Sequence, residues 1–133
     1  MNIRQNIAKK ILGSIFATVN HTNQQQSYDE NEGYHFTEFR GEDGCLLKGY
    51  TYCPPTGGDR GTLILLHGFT CNAWAESNAA KIIADKYNLT SLAYDQRGHG
   101  SFDQNFVSTF GYKEGKDISS AITHAQSIGL KPP

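Results

Sequence analysis

Gly61-Thr-Leu-Ile-Leu-Leu-His-Gly-Phe69 is the segment of this chain that is most informative about its fold. Its four consecutive aliphatic residues end at once in His67 and Gly68, which is typical of a strand buried on both faces of a sheet and followed by a turn. A second apolar run, Leu89 to Tyr94, ends in the glycine-rich loop Asp95-Gln-Arg-Gly-His-Gly-Ser101. A stretch of helix length separates the two runs, so the pattern predicts a parallel strand–helix–strand unit.

The two polar loops follow the carboxyl ends of these strands, which is the edge at which open α/β sheets bind their ligands. Upstream, two β-rich runs joined by the turn-forming Gly41 to Gly44 predict an antiparallel hairpin. The four predicted strands are Tyr34 to Phe39, Leu46 to Tyr52, Thr62 to Leu66 and Thr90 to Asp95.

Two helices complete the predicted α/β arrangement. Asn72 is a suitable cap for the helix between the parallel strands, and Asn88 is a suitable end for it. The second helix is predicted over Tyr112 to Ile128, with an apolar stripe at helical spacing that consists of Ile118, Ala121, Ile122, Ala125 and Ile128. Gly129 follows as its stop.

The two loops together resemble those of the α/β-hydrolase superfamily, in which an His-Gly-x turn follows the third strand and an Asp-x-Arg-Gly-His-Gly-x-Ser loop follows the fourth. The second loop matches at Asp95, Arg97, Gly98, His99 and Gly100, and Phe102 stands where the family has a small residue. The resemblance covers residues 34–129 and is greatest to the esterase, lipase and serine-aminopeptidase-like branch. It implies the amino-terminal part of that fold, an antiparallel hairpin followed by parallel strand–helix–strand–helix, without the nucleophile-elbow strand and later elements.

The resemblance also implies roles for the first loop. The backbone N–H of Phe69 would be one donor of an oxyanion hole, the site that stabilises the negative oxygen formed during acyl transfer. Gly68 would let the backbone turn tightly enough to aim that amide. His67 would orient the loop through hydrogen bonds and would not act as the catalytic base.

The second loop is expected to brace the floor of the site. Arg97 would pair with Asp95 or with a neighbouring carboxylate, and Gly98, His99 and Gly100 would shape the loop. Direct contact of these residues with substrate, or acid–base chemistry by Asp95, remain the alternatives.

The catalytic triad of such an enzyme is not found in this sequence. No Gly-x-Ser-x-Gly occurs, and Ser101 lacks the glycine two positions after it. We therefore expect the amino-terminal half of a serine hydrolase that acts on ester, thioester or amide bonds, inactive by itself and acting on a small acyl substrate only when completed by a carboxyl-terminal half. The alternative is a non-catalytic half-fold that serves as an interaction or binding module. We predict no cofactor and no metal site, because no ligand spacing supports one.

Composition excludes other classes of protein. The 133 residues fit one domain, and 12 Lys and Arg against 13 Asp and Glu provide no basic surface for nucleic acid. Cys45 and Cys53 flank a predicted strand that would hold them about 26 Å apart at about 3.3 Å per residue, so they cannot form a disulfide. Unpaired cysteines favour a cytoplasmic protein.

The first 30 residues are interpreted as a leader helix and polar linker, and residues 31–133 as the partial hydrolase domain. Residues 1–19 fit an amphipathic helix, but also a signal or membrane-surface anchor, which would make the protein secreted or membrane-associated, or a disordered segment. In the family's strand order the next strand would lie beside Thr62 to Leu66. Without it, that strand would be an open apolar edge, for which we predict self-association.

Overall fold

The computed structural model describes residues 30–100 and 105–132. The predicted leader over residues 1–19, the linker that follows it, and both Ser101 and Phe102 lie outside these residues. A short 3-10 helix, Glu30–Glu32, precedes the first strand.

The described residues form a mixed sheet of four strands in the order β1-β2-β4-β3. β1 and β2 pair as the antiparallel hairpin that the sequence predicts, β2 pairs antiparallel with β4, and β3 pairs parallel with β4. The strands are Tyr34–Arg40 (β1), Leu46–Tyr52 (β2), Thr62–Leu65 (β3) and Thr90–Tyr94 (β4). Each ends within a residue of its predicted boundary.

Both helices form where the sequence predicts them. Asn72 caps a short 3-10 helix, Ala73–Glu76, by accepting a hydrogen bond from the Ala75 N–H, and this helix leads directly into α1, Ser77–Tyr87. Asn88 ends α1 in the left-handed conformation at φ 57°. The second helix, α2, spans Glu114–Ser127 and is shorter than predicted at its amino end.

The two helices cover opposite faces of the sheet. Successive residues of β4 point to opposite sides, so that Leu92 packs with the α2 side and Ala93 with the α1 side. Small residues allow the helices to approach the strands closely, since the alanines at their sheet-facing positions are fully buried: Ala80 and Ala84 in α1, Ala121 and Ala125 in α2. The result is a three-layer α/β arrangement with the two loops at one edge.

The α2 stripe is only partly as predicted. Ile128 is 47% exposed, whereas the buried face of the helix begins with two carboxylates, Glu114 and Asp117. The burial expected for β3 on both faces is also incomplete, because Leu63, Ile64 and Leu65 are half-buried. The reason is that β3 has a strand neighbour on one side only within the described sheet. No described helix has the length and apolar character needed to cross a lipid bilayer.

Candidate functional site

His67 joins the loop after β3 to the loop after β4. Its Nε2 accepts a hydrogen bond from the Gln96 backbone N–H at 3.0 Å, and its backbone carbonyl accepts one from the Gln96 side-chain amide at 2.5 Å. Because Nε2 is an acceptor, Nδ1 carries the proton and donates to the Gly68 carbonyl at 2.8 Å. Burial lowers the pKa of His67, which favours this neutral ring. Both ring nitrogens are therefore engaged in holding the loops together.

His99 makes the reciprocal connection from the second loop. Its Nε2 accepts a hydrogen bond from the Thr70 N–H at 3.3 Å, while Nδ1 lies 3.1 Å from the Arg97 carbonyl, to which it donates. The His67 and His99 rings meet edge to face at 5.0 Å, and both side chains are buried. In each loop, therefore, one histidine accepts a hydrogen bond from a backbone N–H of the other loop.

The Phe69 amide lies in the turn that these histidines fix. The Cys71 N–H donates to the Gly68 carbonyl at 3.1 Å and closes the turn around Phe69. Thr70 completes it with a left-handed backbone at φ 69°. The Phe69 N–H has no acceptor among residues 30–100 and 105–132. A backbone donor is therefore available at the carboxyl end of β3.

Gly68 does not have the steric role expected of it. Its φ lies outside the left-handed region, and a Cβ added to it would meet no atom of the described residues within 4 Å. The unusual backbone conformation of this loop falls instead on Thr70. The turn reaches its shape through the hydrogen bonds of His67 and His99, so a glycine is not sterically required at position 68 by this part of the chain.

Asp95 and Gly100 define the floor of the second loop. Asp95 Oδ1 accepts a hydrogen bond from the Ala73 N–H at 2.7 Å and so ties β4 to the start of the 3-10 helix. Gly100 has φ 57°, and a Cβ there would overlap the Asp95 carboxylate. Glycine is thus required at this position both for its backbone conformation and for the space that it leaves.

Arg97 pairs with two carboxylates, neither of which is Asp95. Its Nε and Nη2 donate to Asp117 at 2.7 and 2.6 Å, and its Nη1 donates to Asp43 at 2.9 Å. Arg97 and Asp117 are both almost fully buried, and the hydrogen bond from Arg97 holds the pKa of Asp43 well below its usual range. The guanidinium therefore joins the hairpin turn, the loop after β4 and the first turn of α2.

Glu114 is a site residue that the sequence interpretation missed. Its carboxylate accepts hydrogen bonds from the Ser108 hydroxyl (3.0 Å), the Thr109 N–H (2.7 Å) and hydroxyl (2.6 Å), and the Gly111 N–H (2.9 Å). Burial by itself would raise the pKa of Glu114, but these hydrogen bonds outweigh it and lower the pKa to about 2. The spacing of Glu114 was the available signal in the sequence. Glu114 precedes Asp117 by three positions and Ala121 by seven, so it lies on the same buried face of α2.

Solved structures share this arrangement. The esterase Pf2001 of Pyrococcus furiosus matches with a TM-score of 0.63 and 27% identity over 79% of this chain and 41% of that chain. The α/β hydrolase GrgF from Penicillium matches with a TM-score of 0.62 and 24% identity over 74% of this chain and 34% of that chain. No family model matches the sequence, and no curated protein matches it. The chain is related to the α/β hydrolases.

A further solved structure shares the fold alone. The hypothetical protein PA2218 from Pseudomonas aeruginosa has a TM-score of 0.62 at 18% identity, over 80% of this chain and 37% of that chain. The chain spans about two-fifths of the length of the esterase Pf2001 and of PA2218. Its four strands and two helices correspond to the amino-terminal part of the α/β-hydrolase fold, as the sequence predicts.

Proposed function

We propose that this chain is the amino-terminal part of a serine hydrolase that cleaves ester, thioester or amide bonds through an acyl-enzyme. In this proposal the Phe69 N–H supplies one oxyanion-hole donor, and a carboxyl-terminal part supplies the nucleophile, the base and the acid. The esterase, lipase and serine-aminopeptidase-like branch is the proposed class. The chain by itself is expected to be inactive.

The Phe69 N–H, which has no acceptor among the described residues, is the observation that carries this proposal. An oxyanion donor must point into the site with its hydrogen uncommitted, and it must not move when charge develops on the substrate. The Phe69 amide has no acceptor in the described part of the chain, and its turn is held by hydrogen bonds that the buried His67 and His99 rings accept from the backbone. Asp95, Arg97 and the glycines of the second loop have structural roles in this proposal and take no part in the chemistry.

A proline substitution tests the proposed donor. In the complete hydrolase, Phe69→Pro removes this N–H and fixes φ at position 69, whereas Phe69→Ala keeps the N–H and is the matched control. We expect Phe69→Pro to lower kcat for nitrophenyl acetate by about 100-fold or more, as loss of one oxyanion donor does. Circular dichroism verifies that both variants fold. Equal kcat values for the two variants would show that this amide is not the donor.

The reading frame beyond codon 133 tests the assignment of roles. A continuing frame that encodes Gly-x-Ser-x-Gly within about 15 residues would support the proposal that these residues are the amino-terminal part of a serine hydrolase. The reason is that this motif follows the next strand of the fold. Serine-dependent hydrolysis by the 133 residues alone, detected by sensitivity to a fluorophosphonate, would contradict the proposal. We also propose a cytoplasmic location, which the free thiols of Cys53 and Cys71 support.

A binding module is the second candidate, and the outer edge of β3 favours it. β3 has a strand on one side only within the described sheet, and its half-buried aliphatic residues border the exposed edge. We expect the 133-residue chain to self-associate through this edge, with a mass by light scattering that rises with concentration. Leu63→Lys should reduce that rise. A monomer at all concentrations would contradict self-association.

A further inference from the structure

Two exposed aromatic rings lie beside the Phe69 amide. The rings of Phe69 and Phe110 are 5.5 Å apart at an interplanar angle of 36°, and the two residues are 44% and 70% exposed. The Phe69 ring also meets the edge of the His99 ring at 5.3 Å. The surface next to the free N–H is therefore apolar and aromatic.

The backbone of Phe110 is held in an unfavourable conformation. Its φ of 54° is left-handed, which is unfavourable for a residue with a side chain. The Glu114 carboxylate accepts hydrogen bonds from the residues on both sides of Phe110, at the Thr109 and Gly111 N–H groups. Glu114 thus keeps Phe110 in this conformation, although neither backbone geometry nor burial favours a phenylalanine there. Strain of this kind is concentrated at functional sites.

We propose that the Phe69 and Phe110 rings bind an aryl group of the ester whose carbonyl oxygen accepts a hydrogen bond from the Phe69 N–H. This inference rests on the proposed hydrolase function and adds the substrate class. Aromatic groups pack against one another in offset or edge-to-face arrangements at ring separations of about 4.5–7 Å, which two tilted and exposed rings offer to a third. Glu114 is a positioning residue for Phe110 and does not touch the substrate.

Three esters test the substrate class in the complete hydrolase. Ethyl acetate is the reference, ethyl hydrocinnamate carries a phenyl group on the acyl side, and hydrocinnamyl acetate carries it on the alcohol side. Proton release gives kcat/KM for each. We expect one of the two phenyl-bearing esters to have a higher kcat/KM than ethyl acetate, which identifies the side of the ester that the rings bind. Phe110→Ala is expected to lower that preference about tenfold, through a higher KM. Absence of any aryl preference, or a preference that Phe110→Ala leaves intact, would overturn the inference.

Two further variants separate binding from a structural role. Ile82→Ala removes an equally exposed apolar side chain from α1 and is expected to leave the preference unchanged. Phe110→Gly should abolish the preference while the Tm stays the same or rises, because glycine adopts φ 54° without strain. A lower Tm with an unchanged preference would show that Phe110 is structural and would refute the aryl site.

A binding measurement distinguishes failure of this inference from failure of the hydrolase proposal. Binding of sodium hydrocinnamate to the complete hydrolase is measured by calorimetric titration, with the Phe110→Ala variant as the control. If no ester is hydrolysed but binding depends on Phe110, the catalytic proposal fails and the aromatic site stands. If esters are hydrolysed without aryl preference, the hydrolase proposal stands and the aromatic site fails. Absence of both hydrolysis and binding would refute both.

Discussion

Arg97→Met is expected to destabilise the protein by roughly 3–5 kcal/mol, because it leaves a buried carboxylate without its partner. Asp117 is 1% exposed and receives two hydrogen bonds from Arg97, at 2.6 and 2.7 Å. Methionine fills much of the space of the arginine stem but donates no hydrogen bond to Asp117. The free energy of unfolding of the full chain, measured in urea, gives the loss.

The partner substitution shows whether the cost comes from the buried charge. In Arg97→Met/Asp117→Leu both members of the buried ion pair are replaced by apolar side chains, so we expect the double variant to regain at least half of the lost stability. Lys116→Ala is the matched control, since it removes an exposed ion pair with Glu42 and should cost less than about 0.5 kcal/mol. A loss below about 1 kcal/mol for Arg97→Met would contradict the central structural role of this guanidinium.

Glu114→Gln is expected to cost roughly 2–3 kcal/mol near pH 6, because the ionised carboxylate accepts four hydrogen bonds that a glutamine side chain cannot all accept. The folded state lowers the pKa of Glu114 from 4.5 to about 2. Its contribution is therefore complete above pH 4.5 and is lost as the pH falls towards 2. The difference in the free energy of unfolding between wild type and Glu114→Gln should narrow over this interval.

Urea titrations at pH 6 and pH 3 measure this difference. Asp43 also has a lowered pKa, but it is present in both proteins, so the comparison isolates Glu114. Glu38→Gln makes the same chemical change at an exposed position of β1 and is expected to alter stability little at either pH. Equal stability of Glu114→Gln and wild type at pH 6 would show that the ionised carboxylate does not stabilise the folded state through these hydrogen bonds. A stability difference that did not depend on pH would lead to the same conclusion.

Local sequence patterns were sufficient to predict the secondary structure. The aliphatic run before His67 and the one before Asp95 become the parallel pair β3 and β4. Asn72 and Asn88 lie at the ends of the helical segment between them, where a side-chain acceptor and a tolerated left-handed backbone are needed. Such features depend on residues a few positions apart, so the sequence contains all the information that they require.

The succession of strands and helices along the chain, the edge at which the two loops lie and the relationship to the α/β hydrolases were all predictable from sequence. Three features became evident only from the folded arrangement: Arg97 pairs with Asp117 and Asp43, Glu114 holds the turn around Phe110, and the described residues leave room for a side chain at Gly68. Periodicity specifies which face of a helix is buried, but it does not specify which distant charge lies within reach. That choice depends on how the hairpin, the loop after β4 and α2 meet in space, because an ion pair forms between whichever groups the packing of the core brings together.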